Sequence, residues 1–162
     1  MNDPIERVDH SAIRVNQASI VILLIAAFVL NLPWLVGCVA AVMLIGTTLR
    51  QPGFKPIYAG FLKPRGIVKS DVIPDNPQPH LFAQGLGGAV LVVGAIGFAL
   101  GNAILGWALT WLVTALAALN LFAGFCAGCF VYYWLSRLRV PGFSAQPLPG
   151  TFPGMRPSRK TR

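Results

Sequence analysis

Two stretches of this chain carry no formal charge. From Val15 to Leu49, and again from Leu81 to Ser136, there is no Asp, Glu, Lys or Arg. A soluble globule is coated by charged side chains that make up roughly a quarter of its residues; here 11% are charged and 55% are hydrophobic. A soluble fold is close to excluded. So are a disulfide-stapled scaffold, with only 3 Cys, and a disordered chain. The net charge of +8 would suggest nucleic acid in a soluble protein. The basic residues flank apolar runs, however, where membrane topology and anionic headgroups account for them, and no nucleic-acid partner is expected. The first residues do not read as a cleavable signal peptide: Asp3, Glu6 and Asp9 interrupt the basic segment, and the apolar run opens late and continues long.

A helix needs about 20 apolar residues to cross a bilayer core of about 30 Å. The first run is punctuated once, at Asn31-Leu32-Pro33, and proline favours the first helical position while the residue before it leaves the helix. This predicts spans over Ser11–Leu30, with Ser11 as N-cap, and Pro33–Leu49. The second run is punctuated at Gly101-Asn102, which predicts spans over Leu81–Leu100 and Ala103–Arg137. The last is too long for an upright crossing. Its aromatic marks, Trp107 and Trp111 at one end and Tyr132, Tyr133 and Trp134 at the other, read as interface anchors about 38 Å apart along a single tilted helix. The expected fold is an all-α bundle of four membrane helices over residues 1–140, built from two hairpins.

Charge gives the expected topology. All 13 Lys and Arg fall in the N-terminal segment, the loop 50–80 and the C-terminal stretch from Arg137 through the tail 141–162; the turns at Asn31 and Asn102 hold none. Both termini and the central loop are therefore expected in the cytoplasm. The loop is Pro-rich, and within it Pro56–Lys63 mixes aromatics with Lys in the manner of an interfacial segment. The tail reads as extended or disordered.

Small residues drive helix association in lipid. Gly87, Gly94 and Gly101 form a stripe on the third span, with Gly97 completing a small-xxx-small step, and Gly124 and Gly128 supply a matching step on the fourth. These predict a tight antiparallel pair, with Asn120 hydrogen-bonding into its seam and Gln84 as a similar candidate. Apart from Arg14 and Arg137 near the cytoplasmic ends, no carboxylate, Lys or Arg lies inside any span, which argues against a proton pump or charge-coupled carrier.

The one chemical motif is Cys126-Ala127-Gly128-Cys129. In thiol oxidoreductases the first Cys of such a pair opens a helix, which lowers its pKa. Read as part of one long helix, Cys126 instead lies deep in apolar surroundings that suppress the thiolate. Its face, shared with Phe122 and Tyr133, points away from the glycine seam. Three readings stay open: inert packing residues, a redox dithiol serving a soluble partner or a quinone, and metal ligation with His10 or His80, for which the depths match poorly. Covalent haem is excluded because Phe130 stands where the attachment motif needs His. Cys38 reads as a packing residue near the outer end of the second span.

These residues resemble a family of small bacterial four-helix membrane proteins classed as a domain of unknown function, with a Cys-x-Gly-Cys motif in the last helix. The resemblance runs up to Leu138. It is carried by Val8-Asp9 with Arg14 and Asn16, by Asp75-Asn76-Pro77 and Pro79-His80-Leu81-Phe82-Ala83-Gln84, and by Asn120, Gly124 to Cys129 and Tyr133. Phe130 departs from the acidic or polar residue usual after the second Cys. The resemblance implies an inner-membrane protein, sometimes encoded near thioredoxin-like or rhodanese-like proteins, and brings no established activity. Two functions follow as expectations. The first is a non-catalytic accessory subunit of a larger electron-transfer or photosynthetic complex, with membrane-protein partners and no cofactor or metal of its own. The alternative is a thiol–disulfide or sulfur-relay protein using Cys126 and Cys129 with a thioredoxin-like partner.

Overall fold

The computed structural model describes residues 6–157. Asp3 and the terminal basic residues Arg159, Lys160 and Arg162 lie outside that range. The chain is mostly helical. The principal helices are α1 (His10–Val29), α2 (Pro33–Thr48), α4 (Pro77–Ala99), α5 (Ala103–Ala123) and α6 (Ala127–Arg137). Of these, α1, α4 and α5 are long and apolar enough to cross a membrane, and α2 is a shorter apolar helix.

The helix starts follow from their caps. Asp9, not Ser11, opens α1: its Oδ1 accepts from Ser11 N at 3.1 Å, while Ser11 Oγ donates to Lys69 O at 2.7 Å. Asn76 accepts from Gln78 N at 3.1 Å and opens α4, four residues before the predicted Leu81. Prolines 77 and 79 are tolerated there because first-turn N–H groups have no helical partner. Asn102 caps α5 by accepting from Leu105 N at 3.0 Å.

The predicted single helix 103–137 is two helices. Gly124 sits at φ +66° and ends α5, donating its N–H to Asn120 O at 3.1 Å. A glycine in the left-handed region is a common helix terminator. The chain then runs extended through Phe125 and Cys126, where it pairs with the returning tail. Phe125 bridges Met155, Cys126 N donates to Gly154 O at 2.8 Å, and Arg156 N donates to Gly124 O at 3.0 Å. Cys126 opens α6 as its N-cap. The Trp107-to-Tyr132 distance along one helix axis therefore does not exist.

Two further departures concern the segments read as irregular. A two-stranded antiparallel sheet joins β1 (Glu6–Asp9) to β2 (Val72–Asp75), with Val8 opposite Ile73. The tail is packed rather than extended: Phe143 lies on Phe82 and Tyr132, Phe152 stacks on Phe130, and Arg156 is ion-paired to Asp71. Inside the loop, α3 (Lys55–Ile57) continues as a π-helical turn over Tyr58–Leu62, with Tyr58 buried and Phe61 exposed.

Helix α4 lies at the centre, packed on α2, α5 and α6, while α1 packs on α5 and α2. Ile20, Leu24, Val36 and Leu91 form the buried core. The α4–α5 contact uses Gly94 and Gly97: Cβ atoms there would stand 3.4 Å from Gly106 O and Gly106 N. Gly106, absent from the predicted seam, is held to glycine by Phe98, whose ring would lie 2.5 Å from its Cβ. Gly87 faces Met43 of α2 instead, and Gly101, at φ +78°, forms the turn. Gly124 is a cap rather than a seam residue. Gly128 packs α6 onto α4, where a Cβ would fall 2.5 Å from Ala83 Cβ.

Candidate redox site

The sheet and three helix starts bring distant residues together. β1 leads directly into His10, and β2 ends at Asp75 beside the Asn76 cap. His80 follows in the first turn of α4, and the break at Gly124 turns α6 so that its opening faces that turn. Cys126 and Cys129 form a disulfide, and Cys126 Sγ also accepts from Cys129 N at 3.2 Å. The geometry is that of a cysteine at a helix N-terminus, where N–H groups and the helix dipole stabilise a thiolate. The reading of Cys126 as deep within a helix, its face turned away from the third span, is thus overturned.

His80 joins the sulfurs to a carboxylate. Its Nδ1 lies 3.5 Å from Cys129 Sγ and its Nε2 3.0 Å from Asp75 Oδ2. His10 Nε2 stands 3.1 Å from that same oxygen, but off the hydrogen-bond direction, and is buried with no other partner. Asp75 is 4% exposed and also accepts from Asn76 N at 2.8 Å. Burial pushes the Asp75 pKa up, but contacts from His10 and His80, the His80 charge and the Asn76 amide outweigh it, holding the carboxyl well below its usual range. Tyr133 is pushed up to about 12 by burial and then by the charges of Asp75 and Tyr132, so it stays a neutral phenol.

The same atoms are a potential metal centre. His80, Cys126 and Cys129 place their ligand atoms within 4.8 Å of one another, and His10, Asp75 and His80 form a second such group. The depth mismatch expected for His80 does not hold, because α6 starts at its level. A thiolate metal site and a disulfide exclude each other, since the metal needs both sulfurs reduced.

Two cavities meet at Cys126. One, of about 300 Å³, is polar and cationic, lined among others by Arg7, Arg50, Lys55, His80 and Asn120. The other, of about 260 Å³, lies among the long apolar helices and includes Gln17, Val90, Leu116 and Asn120. Asn120 lines both cavities together with Cys126. Gln84 is a hub: its Oε1 accepts from Asn16 Nδ2 and Gly53 N, each at 3.2 Å, and its Nε2 donates to Met43 O at 2.9 Å.

The predicted anchors occupy opposite ends. Phe28 lies between Trp107 and Trp111, with ring centroids 5.1 and 5.2 Å away. Tyr132 is buried and donates to Gln78 Oε1 at 2.7 Å, whereas Trp134 is exposed. Cys38 is free and exposed on α2. Sequence reasoning missed Asp75 as the partner of His80. The available signal was Gly124 two residues before Cys126, which reads as a helix stop followed by a new start.

No curated protein and no solved structure matches the chain. A family model does, over residues 8–137, which contain His10, Asp75, His80, Cys126 and Cys129. The chain belongs to the family described as a domain of unknown function, DUF4395.

Proposed function

We propose that this protein is a membrane-embedded thiol–disulfide redox protein, with Cys126 and Cys129 as its working pair. The membrane part of the reading is supported by three helices of crossing length and a fourth apolar one. The confinement of Lys and Arg to one end supports a bacterial inner membrane with both termini and the site on the cytoplasmic side. The observation that carries the chemistry is the contact series Cys129–His80–Asp75 beside a cysteine that caps a helix.

Cys126 borders both cavities and Cys129 borders neither, which divides their roles. The Cys126 thiolate attacks a partner disulfide, forming a mixed disulfide and releasing one partner thiolate. Cys129 then gives its proton to His80 Nδ1, and its thiolate attacks Cys126 Sγ. The internal disulfide forms, the second partner sulfur leaves, and the His80 proton passes to it. Asp75, in contact with Nε2, orients the imidazole, as a carboxylate does behind a catalytic histidine. The partner is a soluble thioredoxin-like dithiol protein, and the cycle runs in either direction according to the relative potentials. The accessory-subunit expectation draws on helix faces, whose apolar exposure is common to membrane helices, and on the Pro-rich loop and tail, of which the tail packs on the chain's own helices, so the redox reading stands as the conclusion.

Differential alkylation in native membranes tests it. Denaturation with a mass-tagged maleimide should add one label, at Cys38, before reduction and three after it. Three labels without reductant, together with no loss on treatment with a thiol oxidant, would refute the redox reading.

A further inference from the structure

Cys126 is the cysteine reached from the apolar cavity, and that cavity has a chemical character of its own. Its lining comes mostly from α1, α4 and α5, the three helices long enough to cross a membrane, with Met43 of α2, and closes at the N-terminus of α6. Leu86, Leu112 and Leu116 are 44%, 49% and 42% exposed at its rim. In a membrane protein that rim faces hydrocarbon, so the occupant enters from lipid rather than from water. Gln17 and Asn120 contribute polar side chains to the same lining as Cys126. The neighbouring Gln84 amide is already committed to protein acceptors.

We propose that this cavity takes the ring of a lipid-soluble quinone, which oxidises the dithiol. The inference rests on the redox reading of Cys126 and Cys129 and names the co-reactant on the membrane side. An engineered apolar cavity of about 150 Å³ holds a benzene ring, so about 260 Å³ accommodates a substituted quinone ring while its tail remains in lipid. The Gln17 and Asn120 side chains supply N–H donors for the carbonyl oxygens, which a plain acyl chain would leave unused.

The chemistry balances. Cys126 Sγ bonds to a ring carbon, and its proton ends on one carbonyl oxygen. Cys129, its proton passed to His80, attacks Cys126 Sγ. The S–S bond forms as the C–S bond breaks, and that electron pair returns to the ring. The proton held by His80 reaches the second oxygen. One dithiol becomes a disulfide and one quinone becomes a quinol, a transfer of two electrons and two protons. The polar cavity then admits the soluble thiol that reduces the pair again, so Cys126 joins an aqueous thiol pool to a membrane quinone pool.

The test uses the full chain in lipid nanodiscs, reduced and freed of reductant. A benzoquinone with one isoprenoid unit is added, and quinol formation is followed by absorbance alongside thiol counts. A parallel sample receives oxidised glutathione. One quinol per protein is expected, formed at least tenfold more slowly by Leu116→Trp, which fills the cavity mouth, and by Asn120→Leu, which removes a donor. Leu116→Trp, which touches the apolar cavity alone, should react with oxidised glutathione at the parent rate, which also shows that it is folded. Oxidation by glutathione but not by quinone would overturn the quinone assignment and leave the dithiol reading standing. Unchanged quinone rates in both variants, or a phospholipid acyl chain retained in the cavity with no quinol formed, would overturn it equally. Failure to react with either oxidant would sink the dithiol reading and this inference together.

Discussion

The two ends of the same helices are built on different physics. At the end of the tight turns, Phe28, Phe98, Trp107 and Trp111 pack edge to face, Phe98 and Trp107 with centroids 4.7 Å apart. No carboxylate, Lys, Arg or His lies there. At the opposite end, His10, Asp75, His80, Cys126 and Cys129 arrive from separate segments and form one contact series, while Asp9 and Gln84 each hold a hydrogen-bond cluster of their own. A single helix pair thus carries a packing surface at one end and a polar constellation at the other. The polar end carries a desolvation cost that its hydrogen bonds must offset, a cost the aromatic end does not have.

That contrast breaks most readily at the sulfurs. Cys126→Ser or Cys129→Ser should abolish oxidation and reduction of the pair, read by maleimide mass shift, and leave thermal melting in detergent close to that of the reduced parent. A large loss of melting temperature in both variants would make the cysteines structural instead.

Next in size are the close approaches. Gly128→Leu must displace α6 from Ala83, at a cost of about 1–3 kcal/mol or more for overpacking. It should also lower dithiol cycling, because the same displacement separates Cys129 from His80. Gly97→Leu, at the α4–α5 seam away from the site, should lower the melting temperature without changing the reactivity of the thiols that survive. Equal effects of the two substitutions on cycling would mean that the two regions are not separable.

Gln84→Leu strands Asn16 and the Gly53 N–H, and a buried group left without its partner costs about 1–3 kcal/mol. A melting temperature equal to that of the parent would remove Gln84 from its place as the hub.

The smallest effect concerns acid. Burial raises the Asp9 pKa, but bonds from Ser70, Tyr58 and the Asp71 and Ser11 amides lower it further, as the histidine contacts do for Asp75. Both carboxyls are therefore lower in the folded protein than the roughly 3.9 of an unfolded chain. Their contribution is complete above about pH 4 and is lost as pH falls through the lower folded values. Melting temperature should hold from pH 6 to about pH 4 and drop below it, and by less in Asp75→Asn. An equal drop in that variant would assign the acid sensitivity elsewhere.

Legibility in the sequence follows the same division. The hairpin turns, the Pro33 start and Gly94 and Gly97 as packing residues could be read because each depends on neighbours a few residues away. Gly124 could not be resolved the same way. A glycine four residues before another reads equally as a seam or as a stop, and what decides between them is the tail strand at Gly154 and Met155, about thirty positions on. His80 was visible only as a possible ligand, since its partners Asp75 and Cys129 are placed by a cap, a two-stranded sheet and the α6 turn together. Residues that act through a long-range meeting leave little local pattern.

A redox titration of the full chain in nanodiscs, across glutathione and dithiothreitol buffers with thiols counted at each potential, tests the central claim most directly. The account predicts a single two-electron transition involving Cys126 and Cys129, with a midpoint that moves with pH because protons leave with the electrons and that shifts in His80→Ala. Two sulfurs that remain thiols at every potential, or a midpoint untouched by His80→Ala, would contradict it.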